Sequence, residues 1–345
     1  MNLPILPKSS SKERLIFVVG NSRSGTTLLG KILGLNPDVF TFEELHFFEK
    51  LWTSKRNEPL VSRKQAEQLA ARLLSIQDED FISQKNSDLF LKEAKNLVDK
   101  IPHKEIDSVE VFKTFLLYLT TKNGKSIPCE QTPRNIFYVT EILDFYPESR
   151  IINMIRDPRD VLLSQKYKWR LRSLGATNIP RREAVRSWCN YHPVTISKLW
   201  NASVNAANKF SEHPRVNTIK FEDLVANPQK IVQEICNFLE IEYQKEMLEV
   251  AQNSSHKKRN RERKGIDANA VGRWKNGELS NTEIFICQKI THSNMDRYNY
   301  PSHLSRPSTL SLSLSYLFLP TKLMLALMLN LRRSQNIVNA IKRRL

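Results

Sequence analysis

The sequence predicts an α/β fold, a central parallel sheet flanked by helices, and two observations carry that prediction. Short apolar runs recur along the chain: "LIFVV" at 15–19, "SIPCE" at 126–130, "RIINMI" at 150–155 and "VNTIKF" at 216–221. Each leads towards a stretch with apolar residues at helical spacing. Strands that alternate with helices pair in parallel, because each crossover helix buries its apolar face on the sheet.

The elements follow in order. "LIFVV", with its β-branched residues, stands between charge and Gly20 and reads as a buried strand. Thr26 to Leu35 then carries Leu28, Ile32 and Leu35 at helical spacing. Residues 60–125 read as a mostly helical insertion. Ser62 and Gln65 form a capping box ahead of Leu69, Leu73 and Leu74. A second helix starts at Ser108, runs through Phe112, Phe115, Leu116 and Leu119, and stops at Gly124. After "VNTIKF", Asn227 caps a further helix with Pro228 at its first position.

A domain over 13–301 is expected, with a distinct apolar and basic tail over 302–345. Leu310 to Leu331 is strongly apolar but interrupted by Pro320, Lys322 and three serines. A plain membrane span needs about 20 residues with few charges. The tail ends in Arg332, Arg333, Lys342, Arg343 and Arg344, which suits an amphipathic segment lying on a membrane surface. Packing on the domain or on a second subunit is the alternative, and the oligomeric state stays open.

Composition narrows the partners. The 345 residues are 40% hydrophobic and 26% charged, enough for a sizeable core, and carry a net charge of +17. Nine Lys and Arg against three Asp and Glu fall between Arg156 and Arg186. Eight against two fall between Lys257 and Lys275. Such clusters favour an anionic ligand. Without an aromatic platform or recognition motif, nucleic acid is not the expected partner. The four cysteines are widely spaced with no CxxC pair, so neither a disulfide framework nor a zinc site is expected. No signal-length apolar run precedes Ser9. The expected location is cytoplasmic, with membrane association through the tail.

Two motifs carry chemistry. "GNSRSGTTLL", from Gly20, has the glycine spacing of a phosphate loop, but Thr26 stands where a Walker lysine belongs. Backbone N–H groups at the start of the following helix form an anion site. Ser24, Thr26 and Thr27 add hydroxyls and Arg23 adds a planar cation suited to paired oxygens. The second motif runs from Arg150 to Arg170. Arg156 ends a strand, Asp157 caps a helix, Pro158 opens it and Asp160 favours its dipole. Ser164 and Lys168 then lie one turn apart on one helix face.

Together these motifs resemble the sulfotransferases that use 3′-phosphoadenosine 5′-phosphosulfate (PAPS). "PDVFTFEELHFF" is similar to the protein-tyrosine sulfotransferase branch, and "CEQTPRN" and "FEDLVANPQKIVQEICNFL" are similar to recurrent family segments. The resemblance implies a P-loop-type sheet and transfer of a sulfuryl group from PAPS to an acceptor hydroxyl, leaving PAP, with no metal. It implies that Ser22, Arg23, Ser24, Gly25, Thr26 and Thr27 hold the phosphosulfate and that Arg156 and Ser164 hold the 3′-phosphate. "RKG" and "GRWKN", six residues apart here, resemble the family's C-terminal cofactor loop, which brings in Arg263, Lys264 and Gly265 with Arg273 assisting. Glu44 matches the catalytic base and Arg23 the leaving-group stabiliser. Glu43 is the rival base, with His46 nearby. Two departures stand out: Gln131 replaces a common lysine and Phe221 a common tyrosine. The alternatives are a P-loop kinase or NTPase, and a non-catalytic nucleotide-binding protein of the same fold.

Overall fold

The computed structural model describes residues 14–52, 60–83, 87–102, 106–171, 181–251 and 264–330. The chain opens with β1 (Leu15–Gly20), α1 (Thr26–Gly34) and β2 (Val39–Thr41). The insertion follows. A two-residue antiparallel ribbon, β3 (Leu60–Val61) with β4 (Ile106–Asp107), brackets α2 (Arg63–Ser83) and α3 (Leu91–Val98), and α4 (Ser108–Lys122) closes it. The sheet resumes with β5 (Ile127–Glu130), α5 (Val139–Phe145), β6 (Ser149–Ile155), α6 (Pro158–Lys166), α7 (Arg181–Asn190), α8 (Pro193–Asn208) and β7 (Val216–Lys220). Four helices complete the described chain: α9 (Phe221–Ala226), α10 (Pro228–Leu239), α11 (Asn281–Arg297) and α12 (Thr309–Asn330).

The five main strands lie in the order β2-β5-β1-β6-β7 and every pairing is parallel. β1 sits at the centre, and the chain moves to one side for β2 and β5 and to the other for β6 and β7. In such sheets the carboxyl ends at the reversal form the ligand-binding edge. Side chains of β1 alternate between two cores, as the strand period requires. Leu15, Phe17 and Val19 face the insertion helices, where Phe47 stacks on Phe112 with ring centroids 4.1 Å apart. Ile16 and Val18 face Leu29 and Ile32 of α1 and Val232 and Ile235 of α10. A third core joins α6, α8 and α11 around the fully buried Trp200.

The expected local signals behave unevenly. Ser62 and Gln65 make the reciprocal capping bonds, at 2.8 and 3.3 Å. Gly124, two residues past α4, takes a left-handed φ of 69°. Pro228 opens α10 as expected, but the Asn227 side chain makes no capping hydrogen bond. Asp157 caps α6 by accepting from the Arg159 N–H at 2.9 Å, and also pairs with the Arg159 guanidinium. Arg159 is buried, stacked 3.9 Å over the Trp274 ring. The four cysteines are buried, free thiols.

Candidate active site

The loop between β1 and α1 is shaped by contacts that exclude side chains. A Cβ on Gly20 would lie 2.3 Å from the Met154 carbonyl oxygen of the neighbouring strand. Gly25, at the N-cap of α1 with φ 97°, has the Phe221 ring against it: a Cβ there would stand 2.4 Å from Phe221 Cδ2. Phe221 therefore forms the floor of the loop. Gly25→Ala is expected to lower unfolding free energy by at least about 1–3 kcal/mol, the typical cost of such backbone strain, read as a reduced urea midpoint.

Arg23 also takes a left-handed conformation, φ 77°, which non-glycine residues adopt rarely. No side-chain cap hydrogen bond is made at the start of α1 among the described residues, and free N–H groups at a helix start are suited to an anion. Ser24 and Thr26 are buried, Ser22 is half-buried and Thr27 is exposed. The Ser24 Oγ has no hydrogen-bond partner among the described residues.

The two sequence motifs meet directly. Arg23 Nε donates to Ser164 Oγ at 2.9 Å, and Arg156 Nη1 donates to the Arg23 carbonyl at 3.1 Å. Arg156 also donates to the Ala270 carbonyl and stacks 4.4 Å over the same Phe221 ring. Its Nε is buried without a partner. Burial, then the charge of Arg156, brings Arg23 down to about 10, with Glu44 pulling the other way. Burial also lowers Arg156, against Asp160 and Glu222. Both guanidiniums remain cations at neutral pH.

Asp160 does more than favour a helix dipole. Its carboxylate accepts from the backbone N–H groups of Gly272 and Trp274, at 2.7 and 3.0 Å. This fastens "GRWKN" to the first turn of α6 and brings the Arg273 charge within reach of Arg156. Lys264 instead pairs with Glu249 at 2.8 Å, and the Gly265 N–H donates to the Val250 carbonyl. Arg263 lies outside the described residues.

The carboxylate side of the site grows from the end of β5. Glu130, buried, accepts from the Thr132 N–H at 3.0 Å, from Asn135 Nδ2 at 2.7 Å, from the Thr132 hydroxyl and from the Leu45 backbone. Burial raises its carboxyl to about 7 despite these bonds, and nearby Glu44 adds to the rise. Thr132 Oγ1 in turn accepts from the His46 N–H at 3.2 Å. The chain directly after Glu44, at Leu45 and His46, is thus pinned by one buried cluster. Glu44 Oε2 lies 3.5 Å from His46 Nε2, and His46 Nδ1 lies 3.3 Å from Glu49 Oε2. Burial works against the Glu49 charge, but Arg134 and His46 hold it well below the usual carboxylate range. Glu43 sits differently, its backbone N–H donating to Gln77 Oε1 at 3.1 Å.

Sequence reasoning missed Lys168 as a site residue. α6 ends at Lys166, so Lys168 falls in the following 3₁₀ turn (Lys168–Leu171) rather than on the helix face shared with Ser164. Lys168 reaches the surface; desolvation, followed by the charge of Arg23, lowers it from the usual lysine value, with Glu44 opposing and Arg186 and Arg134 assisting. Its four-residue spacing from Ser164 was the available signal. Gln131 is buried, with its Oε1 unpartnered and close to Gly30.

Comparisons with known proteins place the chain among its relatives. Residues 15–245 match the model of the sulfotransferase family. The chain is 27% identical over 243 residues to a putative protein-tyrosine sulfotransferase of Caenorhabditis briggsae, covering 69% of this chain and 70% of that protein. It is 24% identical over 229 residues to protein-tyrosine sulfotransferase 1 of Danio rerio, covering 66% of this chain and about half, 53%, of that protein. Among solved structures, the sulfotransferase domain from the curacin biosynthetic pathway is 18% identical, with a TM-score of 0.49, over 84% of this chain and 98% of that chain.

Proposed function

Since the chain belongs to the sulfotransferase family, we propose that it moves a sulfuryl group from PAPS to an acceptor hydroxyl by in-line transfer, with Glu44 as the base. The observation that carries this reading is the direct bonding of Arg23 to Ser164 and of Arg156 to Arg23, with two buried polar atoms, Ser24 Oγ and Arg156 Nε, left without partners among the described residues. Buried donors are almost always satisfied, so these two fit an anionic ligand.

In this reading the loop N–H groups and the Ser24, Thr26 and Thr27 hydroxyls hold the phosphosulfate, while Arg156 and Ser164 receive the 3′-phosphate. Glu44 takes the acceptor's proton as the acceptor oxygen bonds to sulfur. The bond from sulfur to the bridging phosphate oxygen breaks, and its electron pair leaves with PAP. Charge grows on that bridging oxygen, and fixed cations placed beforehand lower the barrier most effectively. Arg23 supplies one. Lys168 supplies the second, from the α6 side, where Gln131, directly after β5, offers no charge. The acceptor is a hydroxyl of a saccharide, small molecule or peptide.

The test is transfer of label from sulfur-labelled PAPS to acceptors in a broad extract, with PAP binding followed by calorimetry. The expected result is sulfated product together with PAP binding at micromolar concentrations or tighter. PAP binding without product from any acceptor would support the non-catalytic reading, and magnesium-dependent ATP turnover would support the kinase or NTPase reading.

A further inference from the structure

Helix α12 is amphipathic in the wrong sense for water. Leu312, Ser315, Leu319, Lys322, Ala326 and Asn330 recur at three- and four-residue steps, more steps than one, and are wholly or partly covered by the body. The polar members of this face fasten the helix to α7, α11 and the turn before α8. Ser311 Oγ bonds Thr282 Oγ1 at 2.7 Å, and the Ser315 carbonyl meets His192 Nε2 at 3.0 Å. Lys322 donates to the Trp188 carbonyl at 3.1 Å and lies 3.2 Å over its ring. Asn330 accepts from Arg186 and donates to Asn190, both at 3.0 Å.

The opposite stripe is apolar and open. Leu310, Leu314, Leu317, Phe318, Leu325 and Met328 share it, with Leu317 69% and Phe318 57% exposed. The most apolar 18-residue window of the helix has a mean hydropathy of 1.6 and is only 6% buried. A surface helix ordinarily buries its apolar stripe and shows its polar one to solvent. An apolar stripe this long marks a contact surface.

We propose that α12 is an in-plane docking helix for an anionic lipid bilayer, lying at the headgroup boundary with its outer stripe among the acyl chains. The helix is bonded to the body from Ser311 to Asn330. A spanning orientation requires all of those bonds to break, whereas an interfacial one keeps them. The sequence directly after it carries Arg332, Arg333, Lys342, Arg343 and Arg344 with no Asp or Glu, the charge that anionic headgroups attract. Val185 and Trp188 of α7 are exposed beside it, and tryptophan favours the interface. Arg186 bonds Asn330 and also acts electrostatically on Lys168.

The test sediments the full chain with vesicles of phosphatidylcholine, with and without phosphatidylserine. Binding is expected to vesicles containing phosphatidylserine, to weaken with salt, and to be released by alkaline carbonate. The double substitution Leu317→Glu and Phe318→Glu is expected to lower partitioning by about tenfold or more. PAP binding by that variant, expected to be unchanged, reports folding. Because sedimentation needs no turnover, it can succeed where the sulfotransferase reading fails, and the reverse. The proposal is overturned by absence of vesicle binding, by carbonate-resistant insertion, or by a dimer in the ultracentrifuge that the double variant dissociates while neither form binds vesicles.

Discussion

Glu44→Gln is expected to lower turnover by roughly 10²–10⁴-fold, the range for loss of a positioned general base, while leaving PAP affinity nearly unchanged. The amide keeps the shape of the carboxylate and cannot accept the acceptor's proton. Glu43→Gln, on a segment that turns to Gln77, is expected to retain activity. Single-turnover rates with bound PAPS separate the two variants, and a Glu43 variant that loses the chemistry in place of the Glu44 variant would reverse the assignment. A drop in both turnover and PAP affinity in Glu44→Gln would instead point to a role in holding Arg23 and Lys168.

Lys168→Met is expected to cost about 10²–10³-fold in turnover, comparable to removal of one donor from a site of developing negative charge. The wild-type pH profile gives an independent readout. Desolvation and the charge of Arg23 lower the Lys168 ammonium from the usual lysine value, so kcat/KM is expected to fall on the alkaline side as that ammonium loses its proton. The negative charge of bound donor favours the ammonium form, which moves the corresponding limb of kcat to higher pH. The groups that bias this titration are Arg23, Glu44, Arg186 and Arg134. Lys168→Arg is expected to remove the alkaline limb, because arginine stays charged throughout. If Gln131→Lys restores activity to Lys168→Met, the two positions supply the same charge from opposite sides.

Much of the fold was legible because its signals are local. A β-branched run ending in Gly20, glycines five apart and a helical stripe directly after them specify strand, loop and helix within twenty residues. Asp157 and Pro158 announce α6 just as directly. Helices α8 and α11 share an apolar core around Trp200, but polar residues interrupt their stripes. Asn294 bonds Asn201 and Asn205, at 3.0 and 2.9 Å, where a hydrophobic stripe would ordinarily be sought. Three-residue β2 is too short to show a period.

The site divides along the same line. The loop residues, Arg156 and Ser164 lie in compact motifs, so their meeting was foreseeable. Glu130 and Thr132 act on Glu44 from another strand, and nothing near position 44 in the sequence signals them. Position 46 takes a left-handed turn, φ 52°, that only the folded backbone reveals. The basic run around 257–264 drew attention by its charge and by the resemblance of "RKG" to a family cofactor loop. Its described end pairs with Glu249, and Arg273, tied down through Asp160, is the nearer cation to Arg156.

The bonds from Arg23 to Ser164 and from Arg156 back to Arg23 turn two separate loops into one caliper. Both jaws rest on the ring of Phe221. Under the proposed assignment, such an instrument measures the span between two anionic groups on a nucleotide as well as their charge. A nucleoside triphosphate lines its charges up in a row and fills a single jaw. A ribose phosphorylated at both its 3′ and 5′ positions reaches both, so selection among nucleotides rests on a fixed length that salt concentration cannot change.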